Sequence, residues 1–307
     1  MNAKSLIGLV LILFSFFFGT IGDGFAQKNS SIQDSSWTSK GFDFYFSAGA
    51  YFANKYNAEY YNGSRVNENN IFYVLGNKYK YDEVFNFMRE KYPYITDSIF
   101  LVSLPVGEMR YSTAFAFSIG LKYKFNKHWG LNVNYSYSQL KAMGSFILDY
   151  HGPQSNTQVD RPFQEWLIGT EQRSFIEASV SYLFHPHNII KPFLEIGAQF
   201  NYVNVRHFIM VLEDQKEYTL LDPYNGADYV PGVDLQEYPT KWGGSGYGFF
   251  MTAGIKIAFN KYVSIDPTFY LSGSSFHLPG YRNFNLNYGA SVRLVINDML
   301  FYKMFKK

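Results

Sequence analysis

The chain contains no cysteine. That excludes a disulfide framework, a thiolate metal site, a cysteine nucleophile and a lipidated cysteine anchor. It also lacks an excess of either charge: 27 Lys+Arg against 25 Asp+Glu leave +2, and no Lys/Arg cluster stands out. Nothing here supplies the basic field that draws a protein to nucleic acid. Long apolar runs are missing too, except at the extreme N-terminus, and the mean hydropathy is −0.17. A bundle of membrane helices is therefore excluded. Aromatic residues are the abundance, with 31 Phe, 27 Tyr and 4 Trp making 20% of 307 residues.

The N-terminal run reads as an address. Lys4 gives a positive start, Leu6 to Phe18 is almost unbroken apolar sequence, and Gly24-Phe25-Ala26 offers small residues at −3 and −1. This is the pattern of a secretory signal peptide over 1–26, cleaved before Gln27. A polar periplasmic leader, 27–40, follows. Export without cysteine fits a bacterial envelope.

Beyond the leader, apolar and polar residues alternate with a period of two, the mark of strands with two different faces. From Arg110 to Phe125 the odd positions are Tyr111, Thr113, Phe115, Phe117, Ile119, Leu121, Tyr123 and Phe125, while the even ones are small or charged. After Asn126-Lys127-His128 the return strand puts Trp129, Leu131, Val133, Tyr135 and Tyr137 on one face. This reading gives eight strands near 41–53, 108–125, 129–145, 173–184, 190–205, 246–259, 262–273 and 283–296. Tight turns at 126–128, 185–188 and 260–261 alternate with long joins over 54–107, 146–172 and 206–245, and a shorter one near 274–282. An even strand count with short turns at one end and long loops at the other predicts an all-β fold. It is an eight-stranded antiparallel transmembrane β-barrel with long extracellular loops. The barrel occupies 41–296, and 297–307 form a periplasmic tail.

A soluble barrel would bury its large apolar face and wet the other. Here the second face is too small for that, since Gly49, Gly120, Gly130, Gly197, Gly248, Gly254 and Gly289 fall on it by parity. Small residues suit a narrow interior, and Phe, Tyr, Leu and Ile suit a lipid solvent. Aromatics near the turns (Tyr123, Phe125, Trp129, Tyr182, Phe184, Phe259) and near the loops (Tyr111, Tyr137, Tyr247, Phe284) read as two interfacial girdles. Pro267 inside the seventh strand predicts a bulge or a local break. Asp298 would point into lipid if the alternation went on, so the last strand is expected to stop near Ile296.

The pattern resembles the small outer-membrane barrels similar to OmpA and OmpX, in particular the PorT-like barrels of Bacteroidota. The signal peptide ending Phe25-Ala26-Gln27, the hairpin Gly120 to Tyr137 and the run Ala253 to Tyr262 carry the likeness. The resemblance implies a fold and the outer membrane of a Gram-negative bacterium, in contact with its lipid and lipopolysaccharide. It carries no catalytic motif, so function must be argued from sites.

Several sites are candidates. His185-Pro186-His187 has a two-ligand spacing, with His128 in another turn, but no carboxylate lies nearby, and solvated turn residues are the simpler account. Ser275 and His277 could both face lipid, as a lipid A-trimming enzyme would require. No outward carboxylate on adjacent strands completes the set; Asp222 and Glu237 lie in a long loop. No catalytic residue, metal or cofactor is therefore expected. In the first loop, Lys80 to Tyr92 spaces Val84, Phe87 and Met88 as an amphipathic helix ended by Pro93, while Ile71 to Leu75 and Ile99 to Leu104 read as short strands. The loops 54–107 and 206–245 are either a self-packed cap or a platform for an extracellular ligand or envelope protein.

Parity turns twelve charged residues inward: Asp43, Glu108, Arg110, Lys122, Lys124, Arg173, Glu177, Lys191, Glu195, Lys256, Asp266 and Arg293. Of these, Asp43, Lys122, Glu195, Lys256, Asp266 and Arg293 gather near the periplasmic end. Lys256 is expected to face Asp266, and Asp43 to neighbour Arg293 through closure of the barrel. Opposite charges at one level imply an ionic plug in place of a channel. The reading is a non-enzymatic barrel with a structural or recognition role. A small pore, a lipid A-modifying enzyme and a component of a secretion or gliding machine remain the alternatives.

Overall fold

The computed structural model describes residues 40–67, 69–151, 162–186, 190–222, 229–234, 242–260 and 262–298. The signal peptide, nearly all of the leader and tail, His187 and Glu237 lie outside them. The alternation condenses into β1 (Gly41–Phe52), β2 (Ser98–Ser103), β3 (Arg110–Tyr111), β4 (Ala114–Lys124), β5 (Trp129–His151) and β6 (Phe163–Leu183). After these come β7 (Ile190–Leu212), β8 (Lys216–Thr219), β9 (Gly243–Ala258), β10 (Val263–Leu278) and β11 (Tyr281–Asn297). Eight of these strands close a ring, each antiparallel to its neighbours: β1–β4–β5–β6–β7–β9–β10–β11 and back to β1. Closure leaves no unpaired strand edge in the wall, as a span through lipid demands.

Two of the tight turns use one device. Asn126 Oδ1 accepts from the backbone N–H of His128 and Trp129, at 2.8 and 2.9 Å. Asn260 Oδ1 accepts likewise from Tyr262 and Val263, at 2.7 and 2.9 Å. A short side-chain amide satisfies the turn where the chain must reverse at once.

The outward face carries exposed Phe46, Phe117, Ile119, Leu131, Val133, Ile176, Ile196, Phe200, Phe249, Phe269, Leu286 and Val292 around the whole wall. Inward positions are small or polar. At Gly120 a Cβ would overlap the ring of Tyr45, its cross-strand partner, so glycine is what lets that ring lie across the lumen. Aromatic pairs Phe42–Tyr123, Trp129–Tyr182 and Tyr182–Phe184 crowd the turn end of the wall.

The wall is much taller on one side. β5, β6 and β7 continue past the ends of β4 and β9, and β2 and β8 extend this upper sheet at either side. The expected join 146–172 is thus largely strand. At the shorter join, Pro279-Gly280 makes a two-residue turn with Gly280 at φ 69°, so β10 and β11 run on through 274–282. Pro267 opposes Val292 on β11 without interruption, while toward β9 the pairing lapses between Ile265–Ile257 and Thr268–Gly254. The register is the same on both sides of the lapse, so the proline breaks the ladder locally and makes no bulge.

One expectation fails through register. β3 pairs Arg110 with Met143 and Tyr111 with Ala142, whereas β4 pairs Ala116 with Ser138. The two pairings differ by one residue, and a one-residue slip exchanges the faces of a strand. Tyr111 therefore enters the lumen and leaves the outer girdle, while Arg110, expected inside, is exposed. Glu108, also expected inside, is exposed before β3 begins.

The described part of the first loop folds into three α-helices, α1 (Lys55–Ala58), α2 (Phe72–Leu75) and α3 (Lys78–Lys91), with a 3-10 turn at Glu59–Tyr61 after α1. The segment read as a strand at 71–75 is α2, which follows a turn in which Asn70 Oδ1 accepts from the Phe72 N–H at 3.0 Å. α3 buries Val84 and Met88, and Phe87 only in part.

Candidate functional site

The lumen holds three polar levels. At the turn end, Asp43 is fully buried. Its carboxylate receives Lys124 Nζ at 2.8 Å, Lys256 Nζ at 3.4 Å and Asn297 Nδ2 at 3.0 Å. Asp266, nearby, accepts from Ser264 Oγ at 2.8 Å. Arg293 Nη1 reaches across to Glu195 at 2.8 Å, its guanidinium 5.0 Å from the centre of the Tyr45 ring. Asp43 pairs in register with Asn297, and Ser47 with Arg293, so the stagger of closure lifts Arg293 away from the expected Asp43 contact. Lys122 opposes Asp43 in register, its amine 5.6 Å from the Phe193 ring. Of the six charges expected at this level, Asp43 and Lys256 join one contact set and Glu195 and Arg293 another. Lys124 and Asn297 complete the first set.

In the middle level, the buried Glu177 accepts from Asn134 Nδ2 at 2.6 Å, Ser136 Oγ at 3.1 Å and the Tyr270 hydroxyl at 2.9 Å. It borders a cavity of about 70 Å³ lined by small residues such as Ser47, Ser118 and Thr268 together with the rings of Tyr51, Phe175 and Tyr270. That is room for roughly two waters.

At the upper level, parity points to the inward Arg173 but not to its partner, because Glu171 falls inside the expected loop 146–172. Arg173 Nε donates to Glu171 at 2.6 Å, and its other nitrogens lie 3.4 Å from the Tyr51 hydroxyl and 3.1 Å from that of Tyr111. Tyr61, from the first loop, donates to the second Glu171 oxygen at 2.6 Å. Arg173 also stacks 4.1 Å from the Phe276 ring centre. The cap is thereby bonded directly to the lumen charges.

Above this level the interior turns apolar. Tyr60, Tyr61, Ile71, Val74, Val84 and Met88 of the first loop pack with Leu140, Phe146, Leu167, Phe208 and Met210 of the upper sheet. At Gly169 a Cβ would overlap the Tyr61 ring, so β6 admits the cap closely. The cap is a small globular core held in the concavity of the sheet. On its outside, Val66, Val102 and Val106 are exposed at 82%, 52% and 67%.

The enzymatic candidate is occupied differently. Ser275 Oγ donates to the Tyr247 carbonyl at 3.0 Å and lies 3.2 Å from the Tyr247 N–H, so its hydroxyl is committed to backbone. His277 instead packs edge-on to the Tyr247 ring. In the turns, His128 Nδ1 bonds the Leu183 carbonyl at 2.9 Å. Among the described residues, no three His, Asp or Glu side chains converge as metal ligands.

No protein-family model and no curated protein matches the sequence. Solved structures similar to the chain include Neisserial surface protein A, at 10% identity and TM-score 0.39, covering 83% of this chain and 95% of that one. OprG from Pseudomonas aeruginosa gives 9%, 0.33, 85% and 96%. Ail, the attachment invasion locus protein of Yersinia pestis, gives 10%, 0.32, 84% and 99%. The class rests on this chain's own strands. A closed ring of eight with an apolar exterior and a polar interior is a transmembrane β-barrel.

Proposed function

We propose that the protein is a non-enzymatic barrel of the Gram-negative outer membrane, related to the small OmpA-, OmpX- and PorT-like barrels, that presents a rigid recognition platform to the cell exterior. One observation carries this reading: the first loop is folded as a core against the extended β5–β6–β7 sheet and bonded through Tyr61 to the lumen. An ordered cap on a stiff wall suits recognition, since it loses little entropy on binding. The exposed Phe100, Val102 and Val106 lie at its edge. The charged levels below support a plugged lumen over a pore.

Two measurements test it. Planar-bilayer recording on refolded protein is expected to show no steady conductance, and a large one would put the pore first. Cells carrying Phe100→Ser, Val102→Ser and Val106→Ser together should lose adherence to protein-coated surfaces while the barrel still assembles. Unchanged adherence would remove the platform.

A further inference from the structure

Two irregularities of register occur at one height of the wall, and both turn cations outward. At the first, the slip between β3 and β4 places Arg110 beside Met143 on the outer face. At the second, Thr170 pairs with His207 but Glu171 pairs with Val205, leaving Arg206 as the extra residue of a β-bulge. A bulge lets two consecutive residues lean to the same side, and Arg206 and His207 are both exposed. Lys141, also exposed, opposes Thr170 from the other flank. Lys141, Thr170 and His207 thus stand in one row across β5, β6 and β7, spanning about 10 Å at the usual strand spacing. Arg206 Nε and Nη2 both donate to Gln172 Oε1, at 2.8 and 2.6 Å, which fixes the guanidinium over β6.

The row sits where the lipid ends. On β6 the outward face runs from Tyr182 near the periplasmic turn to Gln172, ten residues, about 25 Å of membrane height for a strand tilted near 40°. From Gln139 to Gln172 there is no strongly exposed large hydrophobic residue among those described. The described outward positions of β5, β6 and β7 between the belt and this row carry no carboxylate. Four basic side chains at the outer edge of an apolar belt, with Glu108 exposed two residues before Arg110 and no carboxylate among them on β5, β6 or β7, make a surface complementary to one kind of group, a lipid phosphate.

We propose that Arg110, Lys141, Arg206 and His207 form a clamp for the phosphorylated headgroup of an outer-leaflet lipid, with Arg206 and Arg110 giving forked hydrogen bonds and Lys141 a point charge. The acyl chains would lie along Tyr135, Ile176 and Tyr202 below, all exposed. This rests on the outer-membrane reading above.

Native mass spectrometry of the refolded, full mature chain tests it, with phosphorylated lipid A, the same lipid A dephosphorylated, and inorganic phosphate as probes. Wild type should retain phosphorylated lipid A about tenfold better than the dephosphorylated form, on the scale expected for several cations at a charged surface. The triple variant Arg110→Gln, Lys141→Gln, Arg206→Gln should lose that discrimination. Lys141→Glu alone, an exposed single change, should lower it without touching the bulge. Equal retention of both lipids by wild type, or undiminished discrimination in Lys141→Glu, would overturn the clamp. Competition by inorganic phosphate as strong, mole for mole, as by lipid A would overturn the lipid assignment. Insertion into bilayers, read separately as a heat-modifiable gel band, reports on the barrel reading itself.

Discussion

Lys124 and Asp43 meet at 2.8 Å inside the wall, both essentially out of contact with solvent. Lys256 approaches the other carboxylate oxygen at 3.4 Å, so one acid serves two amines. Removing the acid takes a close contact from both amines at once. Asp43→Ala is expected to cost about 3–5 kcal/mol, the scale for breaking a buried ion pair from one side. Lys256→Ala should cost less, because Asp43 keeps Lys124 and Asn297 and because Lys256 stands opposite Lys191 in register. Urea unfolding of the refolded barrel measures both. A larger loss for Lys256→Ala than for Asp43→Ala would contradict this arrangement.

The inward charges at the turn end were legible because parity is local: Asp43, Lys124, Lys256 and Arg293 each alternate with apolar neighbours. Their partners were not, because pairing across the lumen depends on the stagger of the whole ring. The upper wall was hidden for another reason. From Phe163 to Gln172 the inward face carries Glu165 and Glu171 and the outward face Gln164, Thr170 and Gln172, so neither face looks apolar enough to mark a strand. Phe72 to Leu75 fails in the opposite sense: an apolar and aromatic run with strand propensity is overridden by the turn that Asn70 Oδ1 makes with the Phe72 N–H and by packing of Val74 into the cap core. The slip between Tyr111 and Ala114 leaves no mark in composition at all.

That slip is directly testable, since the chain has no cysteine to compete. Arg110→Cys should react with a membrane-impermeant maleimide on intact cells, and Tyr111→Cys, lining the lumen beside Arg173, should not. The reverse pattern would restore the uninterrupted strand.

Protease digestion of intact cells should cut within 55–107 or 206–245 and spare the turns near 127, 187 and 261. The first segment should be cut slowly for a loop of its length, because Tyr60, Tyr61, Val84 and Met88 are fully or almost fully buried. Cleavage at the turns would invert the topology.

Ser275→Ala or His277→Ala should leave the lipid A profile unchanged by mass spectrometry, because the serine hydroxyl is bonded to the Tyr247 backbone and not to the histidine. The serine change should cost about 1 kcal/mol of stability for its lost hydrogen bond. A changed lipid A profile would bring the enzyme reading forward.

Glu165 lies near the top of β6, above the apolar belt, and should make the cap sensitive to pH. Burial pushes its carboxyl up to about 7, from an ordinary 4.5. The Glu213 N–H, donating at 2.7 Å, opposes the shift, the charges of Glu213 and Asp214 add to it, and Lys91 opposes it weakly. A folded-state value above the unfolded one means that the folded protein holds this proton more tightly. The site's contribution is therefore fully present below about 4.5 and is lost as the pH rises to about 7, where a charge must be kept in the buried position. The strain falls on the junction of three elements, since Lys91 at the end of α3 pairs with Glu213 at 2.6 Å in the turn between β7 and β8. Melting curves between pH 5 and pH 8 should show wild type losing stability relative to Glu165→Gln, whose neutral amide keeps a hydrogen-bond acceptor and cannot ionise. Parallel curves for the two proteins across that range would show that Glu165 does not titrate there and that the upper sheet is indifferent to its charge.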